Sequence, residues 1–444
     1  MNEILVFTPK VTNRLTYTFD LLLSDLLGLK PVFTSSEEEF NVYEGNKISY
    51  SLWPLGNELF FEATKLLYED VIEPQSLEVI DYNGLPGMYE VANKQSAFPF
   101  DIFATTFFLI SRYEEILPHK IDKHGRYRVN QSVASKHNFL DKPVINHYAI
   151  EIKKALTQKF PGIKFKESKF EYVPTFDIDM AFCFKHKGMR RNLGGFFKSF
   201  MFANFKDVRD RFMVLFGGRK DPFDTYDYIE EVCAENGLRP IYFFLLGQHS
   251  QYNKNLNPQN TYYKELIRDI SKRADTGIHL SYEVHGKRKT LEKEKLVLRN
   301  IIEKDVFRNR YHYLKFELPY SYMRLVKHDI VEDYSMGYAA RTGFRASICS
   351  PFYYFNLKEN MATNLRVFPF AFMDTTLNEY NKLYPEEAQK KINKLMDAVK
   401  EVNGSFYGLW HNSSLSNYLE WEGWTEVFEN TAKRAKQLQH HNSE

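Results

Sequence analysis

Cysteine is scarce in this chain: Cys183, Cys233 and Cys349 are far apart and odd in number. That argues against a disulfide framework and favours a reducing compartment, and the lack of any Cys-x-x-Cys pair removes a zinc ribbon from consideration. An excess of one charge is lacking too. Against 59 Lys and Arg stand 57 Asp and Glu, a formal net charge of +2, so no overall field draws the chain to nucleic acid. Long apolar runs are missing. The most apolar stretch, residues 102–111, is too short for a bilayer core of ~30 Å. The N-terminus has neither a basic n-region nor a long apolar h-region, and residues 1–9 read as a first strand rather than a cleaved signal. A cytoplasmic protein is expected, with peripheral membrane contact left open.

Aromatic side chains are plentiful, with 38 Phe and 29 Tyr. Rings can line sugar sites, but most belong in a core, where burying them is a large source of stability. A chain of 444 residues, 43% hydrophobic and 26% charged, is an ordinary soluble composition with room for two or three domains.

Residues 1 to about 165 mix strand-like and helix-like pieces and suggest a smaller N-terminal α/β domain of unknown function. Leu15, Phe19, Leu22, Leu23 and Leu26 predict a helix over 13–27, stopped by Gly28. Residues 48–52 alternate like a strand, 100–116 read as an apolar helix, 125–129 as a polar strand and 143–156 as an amphipathic helix. No catalytic constellation stands out here. Arg112, Glu114, Glu115 and Arg126 read as surface or interdomain pairs, each worth little, rather than a buried ion network. The lysine-rich stretch 159–168, with Pro161 and Gly162, reads as the linker.

A second domain, 166–444, follows. Strand patterns at 172–176, 240–246, 277–280, 311–316 and 406–410 alternate with helix patterns at 225–236, 261–274, 290–304 and 385–402. Such alternation implies parallel strands with crossover helices, as an open sheet or a barrel. An insertion at 186–220 interleaves Lys and Arg with Phe and Met. It fits an ordinary helical excursion packed on the barrel, the reading with most weight. It also fits a lid over the site, or a basic amphipathic segment on an anionic membrane.

Several strand patterns end in polar residues. Asp177 and Asp179 close the first, and alternation puts both on one face. His279 ends a later strand, with Ser281, Glu283 and His285 just beyond. Asp333 follows a short apolar approach, Arg345 is placed to pair with Asp177 or Asp333, and His411 ends the last strand. Metal-assisted hydrolysis of an amide or ester needs nitrogen and oxygen ligands, a carboxylate base and an acid, often His. These segments offer all three.

Their order resembles the polysaccharide deacetylase superfamily, with residues 175–179 similar to its Asp-rich first motif, 279–283 to its His-centred second and 409–411 to its last. Residues 277–282, 333–338 and 343–345 resemble a divergent Bacteroidota-type branch, as do 111–115 and 125–127 within an uncharacterised N-terminal domain. The resemblance implies a distorted (β/α) barrel and a metal-dependent deacetylase. The substrate would carry N- or O-acetyl groups on an amino sugar or cell-envelope glycan precursor. Asp177 would be the base, with Asp179, His279 and Glu283, or else His285, holding a divalent metal, zinc by preference. Arg345 or Asp333 would orient the base, and His411 would be the acid. The chain departs from the family in having Ile178 between its two aspartates and Glu283 where a second His is expected. No Arg-x-Pro appears; Arg310, His312 and Lys315 are candidates for that groove position. The alternative implied by these departures is a protein that has lost its metal and binds carbohydrate or assists glycan synthesis.

Overall fold

In the computed structural model, which describes residues 2–285 and 289–440, the predicted first strand is one of two inner strands of a small sheet. Strand β1 (Asn2–Phe7) pairs in parallel with β2 (Leu29–Thr34) and β3 (Lys47–Ser51), and β3 pairs with β4 (Leu59–Glu62), in the order β2-β1-β3-β4. A hairpin of β5 (Ile80–Tyr82) and β6 (Leu85–Gly87) turns at Asn83-Gly84, both at positive φ, the pair that tight hairpins favour. The helix expected over 13–27 starts at Asn13, capped by Thr12, and widens to π-helical bonding from Asp20 to Leu26. The apolar helix Ile102–Ile110 stops where Arg112 takes a left-handed conformation (φ 54°), and a separate turn, Tyr113–Ile116, begins there. Residues 125–129 form no strand beyond one bridge from Ile121 to Tyr127. The Asp122 carboxylate accepts instead from the backbone N–H of His124 and Arg126, a local bond that competes with a ladder.

The second sheet has nine strands: β7 (Glu171–Ile178), β8 (Ile241–Leu245), β9 (Asp275–Leu280), β10 (Arg308–Tyr311), β11 (Glu332–Asp333), β12 (Phe352–Asn356), β13 (Met361–Val367), β14 (Phe372–Met373) and β15 (Ser405–His411). Their order is β12-β13-β11-β10-β9-β8-β7-β15-β14, parallel throughout except for β12. The predicted crossover helices are present at Tyr226–Glu235, Thr261–Arg273, Thr290–Ile302 and Pro385–Glu401. The strands β12 and β13 are not among the expected strand patterns, and β11 and β14 are two residues each. The strand expected at 311–316 lies earlier, because Tyr313 and Leu314 both turn to positive φ.

The sheet curls strongly. Tyr334, just after β11, and Tyr407 on β15 have ring centroids 6.1 Å apart, although β10, β9, β8 and β7 lie between their strands in the bonding order. Phe243, Phe368 and Leu409 join them in one apolar cluster on the inner face. Gly277 makes room for it, since a Cβ there would sit 2.6 Å from the Phe243 ring.

The two sheets share one hydrophobic cluster, which runs from Ile4 and Phe107 through Phe355 to Phe176. At that junction Glu115 accepts from Arg112 Nε at 2.8 Å and from Arg345 at 2.9 and 2.5 Å, all three side chains buried. Of the expected weak surface or interdomain pairs, Arg112 and Glu115 are instead part of a buried network between the two parts, and the expected role of Arg345 is corrected as well. Its planar fork matches the Glu115 carboxylate, so it reaches neither Asp177 nor Asp333.

Burial opposes ionisation of Glu115, but Arg345 and Arg112 bring it down to about 2 from 4.5. A depressed carboxylate contributes stability above its unfolded value and loses it as pH falls through the folded one. Urea denaturation should show ~3 kcal/mol lost between pH 4.5 and 2 through this group, and Glu115→Gln should remove that part of the slope while lowering stability at neutral pH.

Candidate active site

Strand register assembles the site. Asp177 on β7 pairs with His411 on β15, and His279 on β9 pairs with Arg310 on β10. These residues share the inner face at the carboxyl edge, where parallel sheets place their chemistry. Asp179 and His312 each lie two residues beyond an inner-facing residue, just past the ends of β7 and β10.

Three of these side chains form a nest of donors. His279 Nε2 is 3.2 Å from Asp179 Oδ1, and His312 Nε2 is 3.3 Å from Asp179 Oδ2. One ligand atom from each of the three lies within 4.8 Å of the others. Each imidazole is oriented from behind. His279 Nδ1 meets the Arg310 carbonyl at 3.0 Å, and His312 Nδ1 meets Asn253 Oδ1 at 3.1 Å. Both partners are acceptors, so each Nδ1 carries the hydrogen and each Nε2 is left free to bind, as metal-ligating histidines require. Asp179 Oδ1 is buried without a hydrogen-bond partner. Burial opposes ionisation of Asp179, yet His312 and His279 hold its carboxyl well below the usual range. Two imidazoles and a carboxylate are a donor set that suits zinc or a similar divalent ion.

Asp177 stands apart from this set. Its Oδ1 accepts from Arg310 Nη1 at 3.0 Å, and its Oδ2 lies 3.6 Å from His279 Nε2. Across the pocket, His411 Nδ1 contacts Asp374 Oδ1 at 2.7 Å, while its Nε2 lies 3.8 Å from Asp179 Oδ2. Burial works against the His411 proton, but Asp374, helped by Asp179 and Asp177, raises the group to about 10.

The cavity over these groups measures about 300 Å³ and is lined by Tyr252, Tyr313, Tyr380 and Trp421 among others. Arg126 reaches it from the N-terminal part, paired with Asp122 at 2.7 Å and donating to the Tyr313 carbonyl at 2.9 Å.

Of the residues singled out from sequence, Asp177, Asp179, His279 and His411 meet here. Glu283 does not. After Leu280 the strand gives way to a tight 3-10 turn, Tyr282–His285, which ends the alternation, and Glu283 accepts from Asn253 Nδ2 instead. His285 faces Glu317 at 3.6 Å. Asp333 is turned away because it pairs in register with Asn309, the neighbour of inner-facing Arg310. It accepts from Asn309, Tyr322 and Ser335. His312 takes the place expected for Glu283, and Arg310 the place expected for Arg345. Both are candidates from sequence for the groove position: Arg310 does hold Asp177, His312 joins the donor set instead, and the third candidate, Lys315, lies over the Tyr282 ring; the i,i+2 spacing of Arg310 and His312 repeats that of Asp177 and Asp179. Asp374, after the apolar approach 370–373, has the same form as the other site strands. Asn253 and Arg126 sit in loops and leave no such trace.

Residues 4–161 match a family of unknown function, DUF7033. No curated protein matches the chain. Several solved structures are similar. A Mycobacterium smegmatis protein classed as a polysaccharide deacetylase is 12% identical, with a TM-score of 0.40, over 61% of this chain and 85% of that one. PuuE allantoinase is 9% identical, with a TM-score of 0.38, over 61% and 84%. The polysaccharide deacetylase Bc1974 from Bacillus cereus is 9% identical, with a TM-score of 0.29, over 60% and 88%. Similarity this low decides nothing about activity; the side-chain geometry has to.

Behind His279, Ser281 is held by Glu294, which accepts from Ser281 N at 3.0 Å and from Ser281 Oγ at 2.5 Å. Burial pushes Glu294 up to about 7 from 4.5. Its raised value means that the contribution of this one group is fully present below pH 4.5 and is lost as pH rises through about 7. Glu294→Gln keeps both contacts without the charge, its oxygen accepting from Ser281 N and its amide N–H donating to Ser281 Oγ, so at pH 8 it should raise stability by up to ~3 kcal/mol over wild type and flatten the loss between pH 5 and 8, read by urea denaturation.

Proposed function

We propose that this protein is a metal-dependent deacetylase that hydrolyses an N- or O-acetyl group on an amino sugar or cell-envelope glycan precursor. The observation that carries this is one pocket holding an Asp-His-His donor set, a separate carboxylate and a His-Asp pair. Those are the ligands, base and acid that amide or ester hydrolysis needs. The curled sheet with its crossover helices supports a distorted (β/α) barrel, and the change of sheet near residue 165 supports a domain boundary there.

Asp179, His279 and His312 would hold the cation, zinc by its donor chemistry. When bound, the ion would polarise the acyl carbonyl and make water at its open position more acidic. Asp177 accepts the proton of the attacking water. Arg310 fixes one of its oxygens, leaving the other to face the pocket. His411 enters protonated at neutral pH and gives its Nε2 proton to the leaving nitrogen or oxygen, with Asp374 holding the ring on its far side. The rings of Tyr252, Tyr313, Tyr380 and Trp421 offer flat apolar faces to a sugar.

Elemental analysis should find about one divalent ion per wild-type chain and a large loss in His279→Ala and His312→Ala. Asp177→Asn should keep the metal and lose acetate release by ~10²–10⁴-fold, as should His411→Ala. A wild-type protein that takes up no zinc, cobalt or nickel would sink the enzyme and leave a carbohydrate-binding protein.

A further inference from the structure

The hairpin of the helices Met189–Met201 and Phe205–Leu215 is inverted for a pair that packs on a core. Its carboxylates are inside. Asp207 is buried and pairs with Arg211 at 3.2 Å and Tyr418 Oη at 3.1 Å; Asp210 is buried and pairs with Arg219 at 2.6 Å. Its rings are outside. Leu193, Phe197, Phe200, Phe202, Phe205 and Phe216 are all at least 60% exposed, and no residue of the first helix is buried. Six of the seven highly exposed phenylalanines among the described residues lie in this hairpin and its ends. A helix normally turns such a stripe to the core, and a contiguous exposed apolar face marks an interaction surface. None of residues 186–220 lines the catalytic pocket, so the hairpin is not a lid over it.

Charge identifies the partner. Residues 185–220 carry ten Lys and Arg against two Asp, a local +8 in a chain of formal charge +2, so everything outside them nets −6. Arg190, Lys198, Lys206 and Arg209 are exposed on the same two helices as the rings. A second copy of this chain would set like charges against each other across a two-fold contact. An anionic bilayer surface satisfies both features, with acyl chains for the rings and headgroup phosphates for the cations. No described helix is long and apolar enough to cross a membrane.

We propose that residues 186–220 are an in-plane anchor that seats the protein on an anionic lipid surface. The segment leaves β7 just after Asp179 and returns before the helix Tyr226–Glu235. Its base packs Phe184 and Val214 with Phe223, and Phe223 also lines the catalytic pocket. Docking therefore holds the pocket beside the membrane. Resting on the deacetylase function proposed above, this makes the acetylated substrate lipid-linked; the membrane contact itself stands without it.

The test is sedimentation of the full chain with vesicles of phosphatidylcholine alone or mixed with phosphatidylglycerol. Wild type should pellet only with the mixed vesicles and be released as salt shortens the screening length towards ~3 Å. Phe197→Ser, Phe200→Ser and Phe202→Ser together should weaken partition at least tenfold. Lys198→Gln with Lys206→Gln should weaken it about twenty-five-fold, roughly fivefold per charge. Metal content and circular dichroism, read on the same samples, should be unchanged; loss of metal in wild type would strike the enzyme and not the anchor. No pelleting, equal pelleting with both vesicle types, or undiminished binding of the serine variant would overturn the proposal. So would a wild-type dimer that the serine variant converts to monomer without any vesicle binding.

Discussion

A guanidinium with no exposure to solvent ties the site together. Arg310 donates to Thr175 Oγ1 at 2.8 Å, to Asp177 Oδ1 at 3.0 Å and to the Tyr334 carbonyl at 2.9 Å, while its own carbonyl receives His279 Nδ1 at 3.0 Å. Its flat face lies 4.7 Å from the centre of the Phe243 ring and 5.7 Å from that of Phe370. One residue thus joins β7, β9 and the segment after β11, and it places both the proposed base and one proposed ligand. Burying a lone guanidinium costs several kcal/mol, so its presence depends on Asp177 as much as Asp177 depends on it. The curl of the sheet follows from the same contacts, because side chains from strands far apart in the bonding order must converge on one cation and one set of rings.

The N-terminal part is bonded into this arrangement rather than hung from it. Glu115 takes both arms of Arg345, and Arg126 holds the carbonyl of Tyr313, the residue next to His312. His124 faces Tyr282 at 3.3 Å near the pocket rim. Arg126 therefore lines the pocket from the N-terminal part and touches the residue next to a proposed metal ligand. Tyr313 and Leu314, both left-handed, sit at that contact. Backbone strain of ~1–3 kcal/mol per residue is sustained only where surroundings over-determine it, as the Arg126 bond helps to do here.

The insertion after β7 follows different rules from the rest of the chain. Elsewhere most phenylalanines are core, as in the stack of Phe19 on Phe103 at 3.9 Å. Between 189 and 216 polar bonds from Ser199 to Asp207 and from Arg211 to Asn192 hold the two helices together, and most of the rings face out. The fold thus gives one strand two attachments, with Asp177 and Asp179 at its end and the aromatic hairpin immediately after them.

Much of the second sheet could be read from sequence, because a buried strand or an amphipathic helix is a local pattern. The strands bearing Asp177, His279 and His411, and helices such as Pro385–Glu401, needed only that periodicity and their Pro and Gly punctuation. Alternation also put Asp177 and Asp179 on one face. What local pattern cannot contain is the pairing between strands. Whether Glu283 or His312 completes the donor set depends on where β9 ends and how β10 lies beside it. Whether Arg345 or Arg310 holds Asp177 depends on Glu115, which takes Arg345, and on the register of β10, which turns Arg310 inward. Asp333 looked like Asp177 in sequence and lies on the other face because it pairs with Asn309. The sequence by itself determined which strand ends carry acids and imidazoles; only the tertiary structure decided which of them meet, since a single-residue step along a strand reverses the side to which every side chain points.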